Sequence, residues 1–203
     1  MTASEFDAAE LRRVLGHYPT GVVVVTARAA AGEPMGLAIG SFTSVSLDPP
    51  LVAFLPAKSS RSWPRMSSAP TFCVNVLGHG HAELGRRFAV SGGDKFAGLE
   101  WTVAPSGAPV LPEVPAWIDC EQYSVTDAGD HWIVLGRVTA LAADPDADLP
   151  LVFYRGAYGR VHVPAGAADL GPDHLVGGRA ADNDERASLT LPDPDGYRRP
   201  VPN

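Results

Sequence analysis

The chain has 203 residues, with 45% hydrophobic and 19% charged side chains, and 16 Lys and Arg against 23 Asp and Glu give a formal net charge of -7. That length suits one globular domain with or without a tail, and the negative balance removes the positive field that would hold phosphodiester or anionic lipid. The longest apolar run, 21–25, is far short of the ~20 residues of a membrane span, and the amino terminus is acidic where a signal peptide is basic and then apolar, so a soluble, cytoplasmic protein is expected.

Ser4 and Asp7 have capping-box spacing, with Asp in place of the commoner Glu, and Phe6, Ala9, Val14 and Leu15 recur at helical intervals as far as Gly16. One amphipathic helix is therefore expected to open the fold. Segments 22–26, 35–42, 51–55, 72–77, 116–125 and 132–141 are rich in β-branched and aromatic residues and bounded by Gly, Pro or Asp, which predicts strands. The polar cluster 126–131 joins the last two as an antiparallel hairpin. Segments 60–68 and 81–90 have room for short helices. Strands do not alternate with long helices, so the expected fold class is mainly β with peripheral helices, an antiparallel barrel rather than a doubly wound parallel sheet. Cys73 and Cys120 lie in apolar segments and read as buried hydrophobes, not a disulfide. Trp63, Trp101, Trp117 and Trp132 are candidates for core or interface.

Gly and Pro number 21 and 19, about a fifth of the chain against an average of roughly 12%. In the body, 1–163, they punctuate strands. In 164–203 they fall among seven acidic and four basic residues with no Phe or Trp, a composition that buries too little apolar surface to offset chain entropy. That tail is expected to be largely disordered.

There is no G-x-G-x-x-G after a strand, no G-x-x-x-x-G-K-[ST] and no G-x-S-x-G, so a nucleotide, if bound, is held in another way. His79 and His81 flank one glycine without a third ligand nearby, a poor zinc site, and no metal is expected. Ala57-Lys58-Ser59-Ser60-Arg61-Ser62 brings hydroxyls and two cations to a helix start, which fits either a phosphate cradle or N-capping by Ser60 or Ser62 beside solvated cations. Gly40-Ser41-Phe42-Thr43-Ser44 follows an apolar strand with small residues. A flat ring lying on the backbone there, and ordinary turn chemistry, both account for them. Gly129-Asp130-His131 sets a carboxylate beside an imidazole, either a held ring or an exposed turn histidine.

In their order along 6–158, these segments resemble the flavin reductase family of the FMN-binding split barrel, the reductase components of two-component flavin monooxygenases. The resemblance rests on Pro19-Thr20-Gly21-Val22-Val23-Val24-Val25-Thr26, on Ser41-Phe42-Thr43-Ser44-Val45-Ser46-Leu47-Asp48-Pro49-Pro50-Leu51-Val52, and on Phe72-Cys73-Val74-Asn75-Val76-Leu77. Asp94-Lys95-Phe96-Ala97-Gly98, Gly129-Asp130-His131 and Phe153-Tyr154-Arg155-Gly156-Ala157-Tyr158 complete it. It implies FMN or FAD lying against Gly36, Leu37 and Ala38 and against Ser41, Phe42, Thr43 and Ser44. Pro56 and Ala57 would border it, its phosphate side would reach Lys58, Ser59, Ser60 and Arg61, and Asn75, Arg87 and Phe88 would add contacts. His131 would align the hydride donor, NADH or NADPH, with Tyr154, Arg155, Gly156 and Tyr158 bordering the nicotinamide. The implied protein is a homodimer that passes reduced flavin to a separate monooxygenase. A flavin storage or delivery module without turnover, and a single-component split-barrel oxidoreductase, are the alternatives. The last block departs from the family pattern after Gly156, and the tail has no counterpart in it.

Overall fold

The computed structural model describes residues 6–163. The opening helix α1 (Ala8–Leu15) is capped by Asp7, whose carboxylate accepts from the Glu10 N–H at 2.7 Å, and it stops at Gly16. Asp7 is thus the cap itself rather than the third residue of a box begun at Ser4, which lies outside the described residues. The helix buries none of its side chains, so its apolar stripe faces outward.

The strands are β1 (Thr20–Gly21), β2 (Val23–Arg28), β3 (Pro34–Ile39), β4 (Thr43–Leu47), β5 (Pro50–Phe54), β6 (Thr71–Val76), β7 (Thr102–Val103), β8 (Pro109–Val110), β9 (Ala116–Ala128), β10 (His131–Ala143), β11 (Leu151–Tyr154) and β12 (Ala157–Arg160). Two further helices, α2 (Trp63–Met66) and α3 (Ala82–Ala89), flank them. Seven strands make one antiparallel sheet in the order β3-β2-β6-β9-β10-β5-β4, and β1-β11-β12 and β7-β8 form small sheets beside it.

The large sheet curls. Leu37 and Ile39, from one edge strand, share a core with Val52 and Phe54, from the strand beside the other edge, and with Val23, Val25 and Val74 between. Phe54 is the centre of that core, edge-on to Trp63 at 5.7 Å and to Phe72 at 5.2 Å. Where the two ends approach, Ser41 closes the seam. Its hydroxyl donates to the Leu55 carbonyl at 3.1 Å and accepts from the Leu55 N–H at 3.2 Å. The opposite face of β2 carries Val24, with Val22 just before the strand, into a second core with Leu77, Phe88, Leu111 and Leu151, which seats α3 on the outside of the sheet. β2 is therefore apolar on both faces, and its near-continuous valines follow from that.

The expected mainly β, antiparallel class with peripheral helices is what the structure has, with several changes of extent. The segment 43–47, read as a hydroxyl-rich turn, is the edge strand β4. It escaped notice because an edge strand exposed on both faces carries no apolar alternation. Strand 35–42 ends at Ile39, helix 60–68 shrinks to the single turn of α2, and β9 and β10 extend until only Gly129 and Asp130 separate them. Gly129 has a φ of 70°, the first-position glycine of a type II′ turn. Trp63 is buried in the core, while Trp101, Trp117 and Trp132 are half-buried. The tail 164–203 lies outside the described residues. Among the described residues no helix is long and apolar enough to cross a membrane.

Candidate active site

The closed seam leaves a cleft of about 370 Å³ between the end of β3, the loop after β5 and the C-terminal end of α3. Leu37, Ala38, Gly40 and Ser41 line one side, Ala57, Ser60 and Ser62 another, Phe88 to Ser91 a third, and His131 and Lys95 reach it as well.

His131 is brought there by the β9–β10 hairpin. The hairpin tip is pinned to the loop after β5 by two backbone hydrogen bonds that together pair Ala57 with His131: the Trp132 N–H donates to the Pro56 carbonyl at 3.0 Å, and the Lys58 N–H donates to the Asp130 carbonyl at 2.8 Å. Lys58 reinforces this from its side chain. It pairs with Asp127 and sits 4.8 Å over the Trp132 ring. The hydrogen bond from Lys58 holds the Asp127 carboxyl below the usual carboxylate range. On the imidazole itself, Nδ1 lies 2.7 Å from an Asp130 carboxylate oxygen, a bond that likewise holds the Asp130 carboxyl below its ordinary range. An ionised carboxylate only accepts, so Nδ1 carries the proton and Nε2 is left for a ligand.

Lys95 ties the cleft together. Its ammonium donates to the Gly36 carbonyl of β3 at 3.2 Å, to the Phe88 carbonyl of α3 at 2.8 Å and to the Ser62 hydroxyl at 3.1 Å. All three donors are used, no carboxylate pairs with the charge among the described residues, and burial pulls its pKa below the ordinary lysine value. Ser60 accepts from the Ser62 and Trp63 N–H groups at 3.3 and 3.2 Å, so the capping reading of that hydroxyl holds while the residue also faces the cleft.

Of the residues named from sequence, Leu37, Ala38, Ser41, Ala57, Ser60, Phe88 and His131 meet in this cleft, and Gly36 and Arg61 line the adjoining one. Pro56 and Lys58 support it from behind. Phe42 packs on the inner core, Thr43 and Ser44 pair along β4 with Ala53 and Val52, and exposed Ser59 lines neither cleft. Arg87 turns to the Ala97 carbonyl. Asn75 is a clear departure. It is wholly buried, its carbonyl oxygen accepts from the Leu111 N–H at 2.8 Å, and its amide donates to Thr26 Oγ1 at 3.1 Å and to the Val24 carbonyl at 3.2 Å, so it joins strands and touches no cleft. Tyr154, Arg155 and Gly156 form the tip of the β11–β12 hairpin, and Tyr158 packs on α3 beneath the Arg86 guanidinium at 5.5 Å; none of these four lines the cleft. Gly36, singled out for close approach of a flat ring, instead makes room for Phe88, whose ring would stand 2.5 Å from a Cβ there. Sequence reasoning assigns no role to Lys95, while Ser62 reads there as part of a phosphate cradle or as a cap. Lys95 stood in a quoted block, and only a charge flanked by Asp94 and Phe96 hinted that it turned inward.

The residues fit a flavin. A cleft walled by small side chains and one aromatic edge admits a flat ring, and one end presents to a phosphate hydroxyls and the positive charge of Lys95, which no carboxylate offsets among the described residues.

A family model described as "Flavin reductase like domain" matches residues 15–162. A flavin reductase from Pseudomonas putida is 51% identical over 156 residues, 77% of this chain and 91% of that protein. The reductase subunit HsaB of a flavin-dependent monooxygenase from Rhodococcus jostii is 44% identical over 158 residues, 78% of this chain and 80% of that one. Among solved structures, the NADH:FAD oxidoreductase SgcE6 of Streptomyces globisporus, in complex with NAD and FAD fragments, matches with a TM-score of 0.74 at 36% identity, covering 81% of this chain and 99% of that chain. Likeness that runs through nearly the whole length of these relatives, on the same curled antiparallel sheet, means that the chain belongs to the flavin reductase-like domain family.

Proposed function

We propose that the chain is an NAD(P)H-dependent flavin reductase that reduces FMN or FAD and releases the reduced flavin to a separate monooxygenase. The observation that carries this reading is the single cleft in which a carboxylate-held imidazole and an uncompensated ammonium stand on walls of small residues. Bound flavin supplies a hydride acceptor there and the nicotinamide a donor, and transfer between stacked rings depends on positioning more than on acid–base help. Within the site, Ala38 and Ser41 give the ring a flat wall, Ser60 and Lys95 face its phosphate end, and His131, fixed by Asp130, orients the donor. Arg61 stands at the outer edge of the phosphate end.

A reductase that passes its product on must let it go, so it is expected to purify without yellow colour and to bind flavin modestly. The protein works in the cytoplasm as a homodimer, which would cover apolar side chains that one copy leaves bare, among them Leu11, Val14, Leu15 and Leu47. The test is one assay over four pairs, NADH or NADPH with free FMN or FAD, following nicotinamide absorbance. Rapid oxidation that depends on added flavin is expected. Flavin binding with no oxidation would replace this reading with a storage or delivery module, and a retained flavin with oxidation of an organic substrate by this chain alone would make it a single-component oxidoreductase.

A further inference from the structure

On the outer side of the large sheet, a cleft of about 450 Å³ lies between β7, the loop after β8 and the start of β9, and it shares no residue with the His131 cleft. Its volume is within the roughly 300–1,000 Å³ of small-molecule sites. The sheet fixes its walls. The Leu111 N–H donates to the Asn75 carbonyl oxygen at 2.8 Å, which ties the loop after β8 to β6, and Trp117 sits within β9, paired with Asn75 on one side and Ala142 on the other. Two indoles, Trp101 and Trp117, together with Leu111 and Pro112 give the cleft its apolar surface. The Arg28 guanidinium covers Trp101 at 4.9 Å, but it is tied to the Gly107 and Gly32 carbonyls at 2.7 and 3.1 Å and does not line the cleft, so Trp117 is the indole left open. The charged lining residues are Glu100 and Glu113, both exposed, and neither pairs with a cation among the described residues. Glu113 acts on His81, but burial lowers the pKa of that imidazole, which is therefore neutral at pH 7 and leaves the carboxylate unbalanced. Glu113 also stands at a φ of 55° in the Pro112–Glu113 turn, a place where glycine is usual, so the carboxylate is present there at a cost in backbone strain. Negative charge beside an open indole and aliphatic surface suits a cation that brings an apolar body of its own.

We propose that the Trp117 cleft binds a small organic cation, an ammonium with an apolar or aromatic body, its charge facing Glu100 and Glu113 and its body lying against Trp117. The site is separate from flavin reduction and stands whether or not the reductase reading holds. A hydrated inorganic cation fits it less well. Leucine, proline and indole surface offers such an ion no oxygen, and no group of three or more His, Cys, Asp or Glu is placed to hold a metal among the described residues.

The test titrates benzyltrimethylammonium into the nitrogen-labelled full chain and follows the Trp117 indole N–H resonance, identified by its loss in Trp117→Phe. A saturable shift is expected in the parent. The double variant Glu100→Gln, Glu113→Gln, which keeps shape and removes both charges, should weaken the fitted Kd by about fivefold or more. Glu113→Gly separates binding from folding: it relieves the positive φ, so its melting temperature should equal or exceed that of the parent while its Kd rises by about twofold to fivefold. An unmoved resonance in the parent would overturn the proposal. So would a Kd that holds within about twofold in the double Gln variant, or an equal saturable shift with the anion benzenesulfonate, which would make the cleft merely apolar. None of these readouts depends on flavin or nicotinamide, so a protein that reduces no flavin and still binds the cation would leave the site standing and the reductase reading without support.

Discussion

The imidazole of His131 is fixed through one nitrogen by Asp130 and through its backbone by Ala57, so its other nitrogen faces a ligand from a set direction. Removing the ring should therefore act on the donor more than on the flavin. His131→Ala is expected to lower kcat/KM for the nicotinamide by about 10- to 100-fold while the flavin Kd moves about twofold or less, and Asp130→Asn, which keeps a neighbour but loses the charge-assisted bond, should fall between the variant and the parent. Stopped-flow turnover and flavin titration on the same preparations check this, and an equal loss in both would place His131 on the flavin instead. His131 was legible in the sequence because a Gly-Asp-His turn announces both its conformation and its hydrogen-bond partner locally. Lys95 was not, since the three acceptors that define its role come from β3, α3 and Ser62. Asn75, placed at the flavin only by the family resemblance, departs for a similar reason: its partners, Thr26 and Leu111, are a hydrogen-bond network beneath the sheet that nothing local in the strand announces.

The cleft exists because α3 lies on β3 at a fixed distance, and one glycine sets that distance. A Cβ at position 36 would come within 2.5 Å of the Phe88 ring, which is buried in the second core and lines the His131 cleft at its rim. Gly36→Ala is accordingly expected to cost about 1–3 kcal/mol of stability, as overpacked positions do, and to weaken flavin binding by displacing Phe88. Phe88→Leu on that background, by returning the space, should recover much of the melting temperature. Urea unfolding and flavin titration of the three variants decide it, and a Gly36→Ala protein as stable and as tight as the parent would show that α3 yields freely. Elements with an inner face were readable from apolar patterning, as β2, β5 and β6 were. Elements defined by pairing alone were not. β4, β7 and β8 show little or no apolar alternation, and α1 shows a helical stripe that a single copy of the chain leaves uncovered.

Across the whole molecule, the antiparallel class followed from many short strands without long helices between them, whereas closure of the sheet did not. Closure depends on Ser41 meeting Leu55 and on Leu37 and Phe54 sharing one core, pairs that the chain separates by more than a strand. Closure seals the Cys120 thiol in the inner core, and the Cys73 thiol, on the opposite face of the large sheet, is covered by an outer cluster with Ala104, Ala108 and Val110. Burial, with the Asp119 carboxylate adding to it, pushes both up to about 12. In the unfolded chain a thiol ionises near pH 8.5, so above that pH the unfolded state sheds protons that the folded state keeps. The sign follows: the stabilisation is complete below about pH 8.5 and is lost as pH rises toward 12, by on the order of 1 kcal/mol per pH unit for each thiol. Lys95, whose pKa burial lowers, acts with the opposite sign near pH 10, and comparing variants that share it removes its contribution. Chemical unfolding from pH 7 to 10 should thus show a steeper alkaline loss for the parent than for the double variant Cys73→Ala, Cys120→Ala, and a thiol reagent at pH 8 should label neither cysteine until the protein unfolds. Parallel pH curves for the two proteins, with rapid labelling of the native state, would mean that the sheet opens to solvent on both faces.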